Sequence, residues 1–219
     1  MEPRNPRLDD FILSLTGEPR PRICFISTAS GDNDGYLARF YRAFKPPRAR
    51  PAHLALFRRE VRDLAAFLRA QDVIYVGGGN SANLLAIWRL HGVDKALRRA
   101  WRAGVVLAGI SAGAICWFED GITDSFGAPP RPLNDGLGLL AGACCPHFDG
   151  EKERRPALHR AMRRGFRPTL ALDDGAAAHF VDRSLKEVVA SRRTARAFMV
   201  EVKDGRIVEA PLMVRYLGK

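Results

Sequence analysis

The sequence predicts an α/β protein: a doubly wound, mostly parallel sheet flanked by helices, with antiparallel strands near the C-terminus. Short apolar runs alternate with amphipathic stretches through the first two thirds of the chain, and that alternation favours parallel strands covered on both faces. Several of the runs stop abruptly at glycine-rich or polar residues, as strands do when they enter loops. In the last third the apolar runs follow one another with only short turns between them, which calls for antiparallel pairing.

Taken in order, Arg22 to Thr28 reads as a buried strand entering the polar loop Ala29-Ser30-Gly31-Asp32-Asn33. Tyr36 to Phe44 has helical spacing, the basic and proline-containing Lys45 to Pro51 reads as a linker, and His53 to Phe57 as a second strand. Arg59 to Ala70 is expected to be an amphipathic helix with Val61, Leu64, Ala65 and Leu68 on one face. Asp72 to Val76 is a strand ending at Gly77-Gly78-Gly79-Asn80, followed by helices over Ser81 to Leu90 and Val93 to Arg102. Gly104 to Gly109 is the next strand, and a helix is expected over Ala112 to Phe118. Gly121 to Gly138 is dense in Gly, Pro and Asp and is expected to be a long loop. Ala143 to Cys145 is a strand, Arg155 to Arg164 a helix, and Leu170 to Leu172 a strand. Four further runs close the chain, from Ala176, Val188, Ala197 and Ile207, with Lys203-Asp204-Gly205-Arg206 as a hairpin turn.

The 219 residues suit one domain spanning 1–219. No apolar run reaches the eighteen or so residues of a membrane span, and Met1 to Asp10 is polar and charged, unlike a secretory leader. The four cysteines, Cys24, Cys116, Cys144 and Cys145, include no CxxC pair. They read as reduced, mostly buried thiols of a cytoplasmic protein. The net charge is +11, carried by 29 Arg against 6 Lys. The arginines are scattered and not interleaved with aromatics, so they describe a basic surface that shapes encounters; nucleic acid is not the expected partner.

Four of the expected strands end in chemically useful residues, and open α/β sheets gather their active groups at the carboxyl ends of strands. Gly109-Ile110-Ser111-Ala112-Gly113 lies between a strand and a helix and fits a nucleophile elbow, whose tight turn needs small neighbours and projects the serine Oγ. A serine hydroxyl needs a base. His147, after Pro146 at a strand end, is better placed for this than His53, His91, His159 or His179. A carboxylate must hold the imidazole tautomer. Asp174 is the choice, with Asp173, Asp124 and Asp135 as alternatives. The Gly77-Gly78-Gly79-Asn80 turn lacks GxGxxG and a P-loop lysine. Close backbone approach to a substrate carbonyl is the better reading, its N–H groups completing an oxyanion hole with that of Ala112.

Val76-Gly77-Gly78-Gly79-Asn80, Ile110-Ser111-Ala112-Gly113-Ala114, Pro146-His147-Phe148 and Asp174-Gly175 occur in this order. Together they resemble the peptidase E family of serine peptidases, peptidase family S51, whose relatives include cyanophycinase. The resemblance covers about Ile23 to Val202. It implies a class I glutamine amidotransferase-like, flavodoxin-like fold. It also implies Ser111 as nucleophile, His147 as base and the amides of Gly79 and Ala112 as the oxyanion hole. The dipeptidase carries a glutamate before a glycine as its third triad member, and Asp174 occupies that position here. Peptidase E cleaves dipeptides with an N-terminal aspartate, which needs a cation. Arg154 or Arg155 would supply it, with Asn80 also among the substrate-binding residues.

The expected substrate is therefore a short peptide, Asp-X dipeptides included, or another small amide, cleaved through an acyl-enzyme without metal or cofactor. A related amide or ester hydrolase without aspartyl preference is the alternative, as is a small-molecule-binding homologue without turnover. No membrane partner is expected, and a homodimer is left open.

Overall fold

The computed structural model describes every residue but 3 and 219. By internal contacts the chain divides into two compact units, Met1–Gly113 and Ala114–Lys219.

The first unit opens with α1 (Arg7–Ser14), β1 (Arg22–Ile26), α2 (Asp34–Ala43) and β2 (Arg50–Leu54). It continues with α3 (Leu64–Arg69), β3 (Val73–Val76), α4 (Ser81–His91), α5 (Val93–Arg102) and β4 (Val106–Gly109). The strands form an all-parallel four-stranded sheet in the order β2-β1-β3-β4. Ile23, Phe25, Val73 and Tyr75 pack with Leu13 of α1 and Phe40 of α2, and the Phe25 and Phe40 rings stack with centroids 4.8 Å apart. Cys24, Ile26, Ile74 and Val76 alternate onto the other face and are equally buried, so both faces of the central strands are covered. That is why these strands read as unbroken apolar runs. Side chains cap the helices: Asn33 accepts from Tyr36 N at 2.9 Å, Asp63 from Ala66 N at 2.9 Å and Asn80 from Asn83 N at 2.8 Å.

Two expectations shift here. The second strand is Arg50–Leu54, not His53 to Phe57, because Arg22 to Ile26 pair in register with residues 50 to 54. Pro51 is tolerated because β2 is an outer strand, with only β1 beside it. The helix expected from Arg59 begins only at Leu64: the Asp63 cap fixes its start, and the Arg59 side chain donates to the carbonyls of Val61 and Arg62. Helix α1 was not anticipated in the charged N-terminus. It is anchored by buried Leu13, and the terminal amine lies 3.8 Å from Asp9.

Helix α6 (Ala112–Ile115) follows β4 and is a single turn. The expected helix through Phe118 is cut short because Phe118 opens a strand, β5 (Phe118–Thr123). The second unit continues with β6 (Arg131–Leu133), β7 (Leu140–Cys145), α7 (Arg154–Met162), β8 (Thr169–Leu172) and β9 (Ala176–Val181). It ends with β10 (Ser184–Ala190), β11 (Ala197–Lys203), β12 (Arg206–Pro211) and β13 (Val214–Tyr216). A six-stranded sheet runs β12-β11-β8-β7-β5-β6, with β5, β7 and β8 parallel at its centre and antiparallel strands on either side. β9, β10 and β13 form a separate three-stranded sheet. The segment 121–138, expected to be a loop, thus holds the end of β5 and all of β6. Ile122, Cys145, Leu158, Met162, Ala171 and Val200 form the core of this unit. Lys203 pairs with Arg206 across Asp204 and Gly205, both at positive φ, as a two-residue hairpin turn requires.

Among the described residues no helix is long and apolar enough to cross a membrane. All four cysteines are free and buried.

Candidate active site

In the first unit, the turn after β4 is built by backbone packing that only glycine permits. A Cβ on Gly109 would lie 1.9 Å from Gly113 O, and one on Gly113 would lie 2.3 Å from Val76 O. Ile110 N donates to Val76 O at 3.1 Å and Gly113 N to Ile110 O at 2.9 Å, closing the turn over the end of β3. Between the glycines Ser111 takes φ 56°, a left-handed conformation that a residue bearing a Cβ adopts only when its surroundings impose it. Since α6 is one turn long, the electropositive character behind Ser111 comes from the local N–H groups of that turn and not from an extended helix dipole.

The glycine loop after β3 lies against this turn. A Cβ on Gly78 would sit 3.2 Å from Ser111 Cβ, so the two backbones approach as closely as glycine allows. Gly79 has φ 138°, and a Cβ there would meet Ala29 O at 2.2 Å. It is exposed. Asn80 is tied down twice, through its N–H to Ala29 O and its side chain to Asn83 N. Gly78 N donates to Tyr36 Oη at 3.2 Å. Burial pushes the Tyr36 phenol up while that bond from Gly78 opposes the shift, so it stays a neutral acceptor. Tyr36 was read only as an apolar helix residue, and nothing local marks its contact with a loop 42 positions on.

In the second unit, β7 and β8 are parallel neighbours whose ends carry His147 and Asp174. His147 also has a left-handed backbone, φ 58°. Phe148 anchors the segment: its ring is buried against Phe198, and its N–H donates to Leu172 O at 3.0 Å. His147 Nδ1 lies 2.7 Å from Asp174 Oδ1. With Nδ1 donating, the Nε2 lone pair is left to accept a proton. Asp173 turns the other way, accepting Arg196 N at 3.0 Å and Arg196 Nε at 3.4 Å. Burial pushes its carboxyl up, against the opposing pull of Arg196. Two residues that sequence reasoning passed over hold Asp174. Asp149 Oδ1 accepts Asp174 N at 2.8 Å, and a Cβ on Gly150 would lie 2.3 Å from Asp174 Oδ2. The only local hint was that Asp149-Gly150 follows Phe148 as a turn pair.

The arginines expected to meet substrate have partners of their own. Arg154, with only 2% of its side chain exposed, donates to Glu151, Ile122 O and Asp124. Arg155 forks onto Glu209 and lies over the Phe148 ring. Among the other histidines, His53 meets Tyr41 Oη, His159 meets Glu209, and His179 lies 3.5 Å from Glu187. His91 is the last residue of α4. Among the described residues no group of three or more His, Cys, Asp or Glu is placed to hold a metal ion.

The sequence model of peptidase family S51 matches residues 1–188. The chain is 51% identical to the "Uncharacterized peptidase YgaJ" of Bacillus subtilis, over all of this chain and 94% of that protein. It is 32% identical to "Peptidase E" of Streptomyces coelicolor over 130 residues, 58% of this chain and 51% of that one. Among solved structures, a putative peptidase E protein from Listeria monocytogenes superimposes with a TM-score of 0.58, covering 94% of this chain and 95% of that one at 16% identity. A peptidase from an acI-B1 Actinobacterium gives 0.64, covering 94% and 89% at 18% identity. These two likenesses speak to the fold, while the family match and the identity to YgaJ speak to descent. On that evidence the chain belongs to peptidase family S51, a family of serine peptidases.

Proposed function

We propose that this serine peptidase cleaves the amide bond of short peptides through an acyl-enzyme on Ser111, with His147 as general base and Asp174 orienting it. One observation carries this reading. Five described non-glycine residues have positive φ, and three of them are Asp32, Asp182 and Asp204, a residue type that visits this conformation readily. The other two are Ser111 and His147. Held strain of this kind concentrates where side chains must be presented for chemistry.

In the proposed reaction Ser111 Oγ bonds to the scissile carbonyl carbon as its proton passes to His147 Nε2. The carbonyl π electrons move to oxygen, where the N–H groups of Gly79 and Ala112 would receive the charge. Collapse of the adduct breaks the C–N bond, and the leaving amine takes the proton from His147. Water, deprotonated by the same imidazole, then hydrolyses the ester and restores Ser111. Asn80, at the edge of the glycine loop, would line the substrate side through whatever hydrogen-bonding capacity remains beyond its helix cap.

A second reading, an amide or ester hydrolase without preference for N-terminal aspartate, is favoured by the ion pairs of Arg154 and Arg155. An aspartyl substrate would have to compete with Asp124 and Glu151, or with Glu209, for the cation. The four buried free thiols support a place in a reducing compartment such as the cytoplasm. The test is a panel of short peptides, including Asp-X and Ala-X pairs, with wild type and Ser111→Ala. The reading predicts turnover that falls at least about 1,000-fold in the variant. Undiminished turnover there would refute it. Asp-X and Ala-X cleaved at equal rates would select the second reading.

A further inference from the structure

Helix α7 carries the chain from the His147 end of β7 back to the start of β8. Its last turn and residues 163–168 therefore lie at the opposite end of the parallel strands from His147 and Asp174. A cavity of about 840 Å³ opens there, between this turn and the segment 126–134 that contains β6. Its floor includes Ala157, Ala161 and Phe166, the last packed on the core of the unit.

The charge on this cavity is one-sided. Four arginines line it, Arg131, Arg160, Arg164 and Arg167, against the single carboxylate of Asp120. Arg167 is held by that carboxylate, with Nε 2.5 Å from Asp120 Oδ2 and Nη1 3.2 Å from Glu119. Arg131, Arg160 and Arg164 make no ion pair among the described residues, and the Arg131 guanidinium lies over the half-exposed Phe126 ring at 4.5 Å. Surfaces ordinarily intersperse the two signs. Arg131, Arg160 and Arg164 thus line one concavity without a carboxylate partner among the described residues, and their planar guanidinium forks suit phosphate or carboxylate oxygens.

The backbone narrows the choice of anion. An acidic peptide would seek hydrogen bonds along the open edge of β6, the outermost strand. That edge is interrupted by Pro130 and Pro132, which have no N–H to offer. A compact polyanion needs no such edge, and an oligophosphate brings three or four charges within the span of the cavity. We propose that this cavity is a binding site for an oligophosphate group, carried by a nucleoside di- or triphosphate or by a free phosphate chain, and that Arg131, Arg160 and Arg164 hold it.

Calorimetric titration of the full chain with inorganic triphosphate, ATP, citrate and a short single-stranded oligonucleotide, at low and at physiological salt, tests this. Triphosphate and ATP should bind saturably and more weakly as salt rises. Both affinities should fall at least tenfold, about 1.4 kcal/mol, in the Arg160→Ala/Arg164→Ala double variant, whose substitutions are exposed. Arg131→Ala should weaken binding separately. ATP binding more tightly than triphosphate would assign a nucleotide that uses Phe126, and equal binding would assign the phosphate chain itself. Absence of saturable binding, affinities unchanged in the double variant, citrate binding as tightly as triphosphate, or binding of the oligonucleotide alone would each overturn the proposal. Peptide hydrolysis should be unchanged in the double variant.

Discussion

Gly150 offers a way to move Asp174 without changing any titratable group. Its φ is not in the left-handed region, so alanine is acceptable to the backbone and the effect is steric. The added Cβ would lie 2.3 Å from Asp174 Oδ2, whereas ordinary non-bonded contact is about 3.5 Å, so the carboxylate must retreat by about 1 Å. The Asp174–His147 bond begins at 2.7 Å, and a shift of that size takes it past useful hydrogen-bond length. Misplacement of about 1 Å in a catalytic array costs about 100-fold in rate. Loss of the correct imidazole tautomer sets an outer limit of about 10,000-fold. Gly150→Ala should therefore lower kcat on a responsive peptide about 100-fold with little change in KM, while circular dichroism shows an intact fold. Adding Gly150→Ala to Asp174→Ala should cost little more, since both act through the same imidazole. A Gly150→Ala enzyme within about threefold of wild type would refute the role given to Asp174.

Arg154→Ala should destabilise the protein by about 2 kcal/mol, because it leaves Ile122 O without its donor and two carboxylates without a cation. Their partial exposure keeps the cost below that of a fully buried pair, and urea unfolding reads it. The hydrogen bonds from Arg22 hold Asp72 below the ordinary carboxylate range, despite an opposing push from partial burial. A lowered folded-state value means that this stabilisation is complete above the unfolded aspartate range and is lost as pH falls through the folded one. Asp72→Asn should accordingly be less stable than wild type at neutral pH, and the two denaturation curves should converge in acid.

Much of this molecule can be read from its residues, and the exceptions have physical causes. β1 and β3 announce themselves because both faces are buried, leaving an unbroken apolar run. The serine turn is legible for a different reason: close backbone packing at Gly109 and Gly113 leaves only one kind of residue that fits. The segment 121–138 was misread because glycine and proline usually end strands, whereas here Pro132 sits in an outermost strand. The helix expected from Arg59 looked long because its charged first turns fit an amphipathic pattern, yet Asp63 supplies a better start. The resemblance to peptidase E, rather than any pattern in the residues, suggests Arg154 or Arg155 as the cation for an aspartyl substrate. Periodicity says nothing of a side chain bent back onto Ile122 and Asp124. Tyr36, Asp149 and Gly150 act on residues brought near by strand order, and no local pattern reports that.

The most direct measurement on Ser111 is covalent. A fluorophosphonate probe should form one adduct per chain, mapped by peptide mass spectrometry to the segment containing Ser111. Labelling should be slowed about 100-fold or more by His147→Ala and abolished by Ser111→Ala. An adduct on another serine, or labelling of Ser111 at the same rate without His147, would contradict the account.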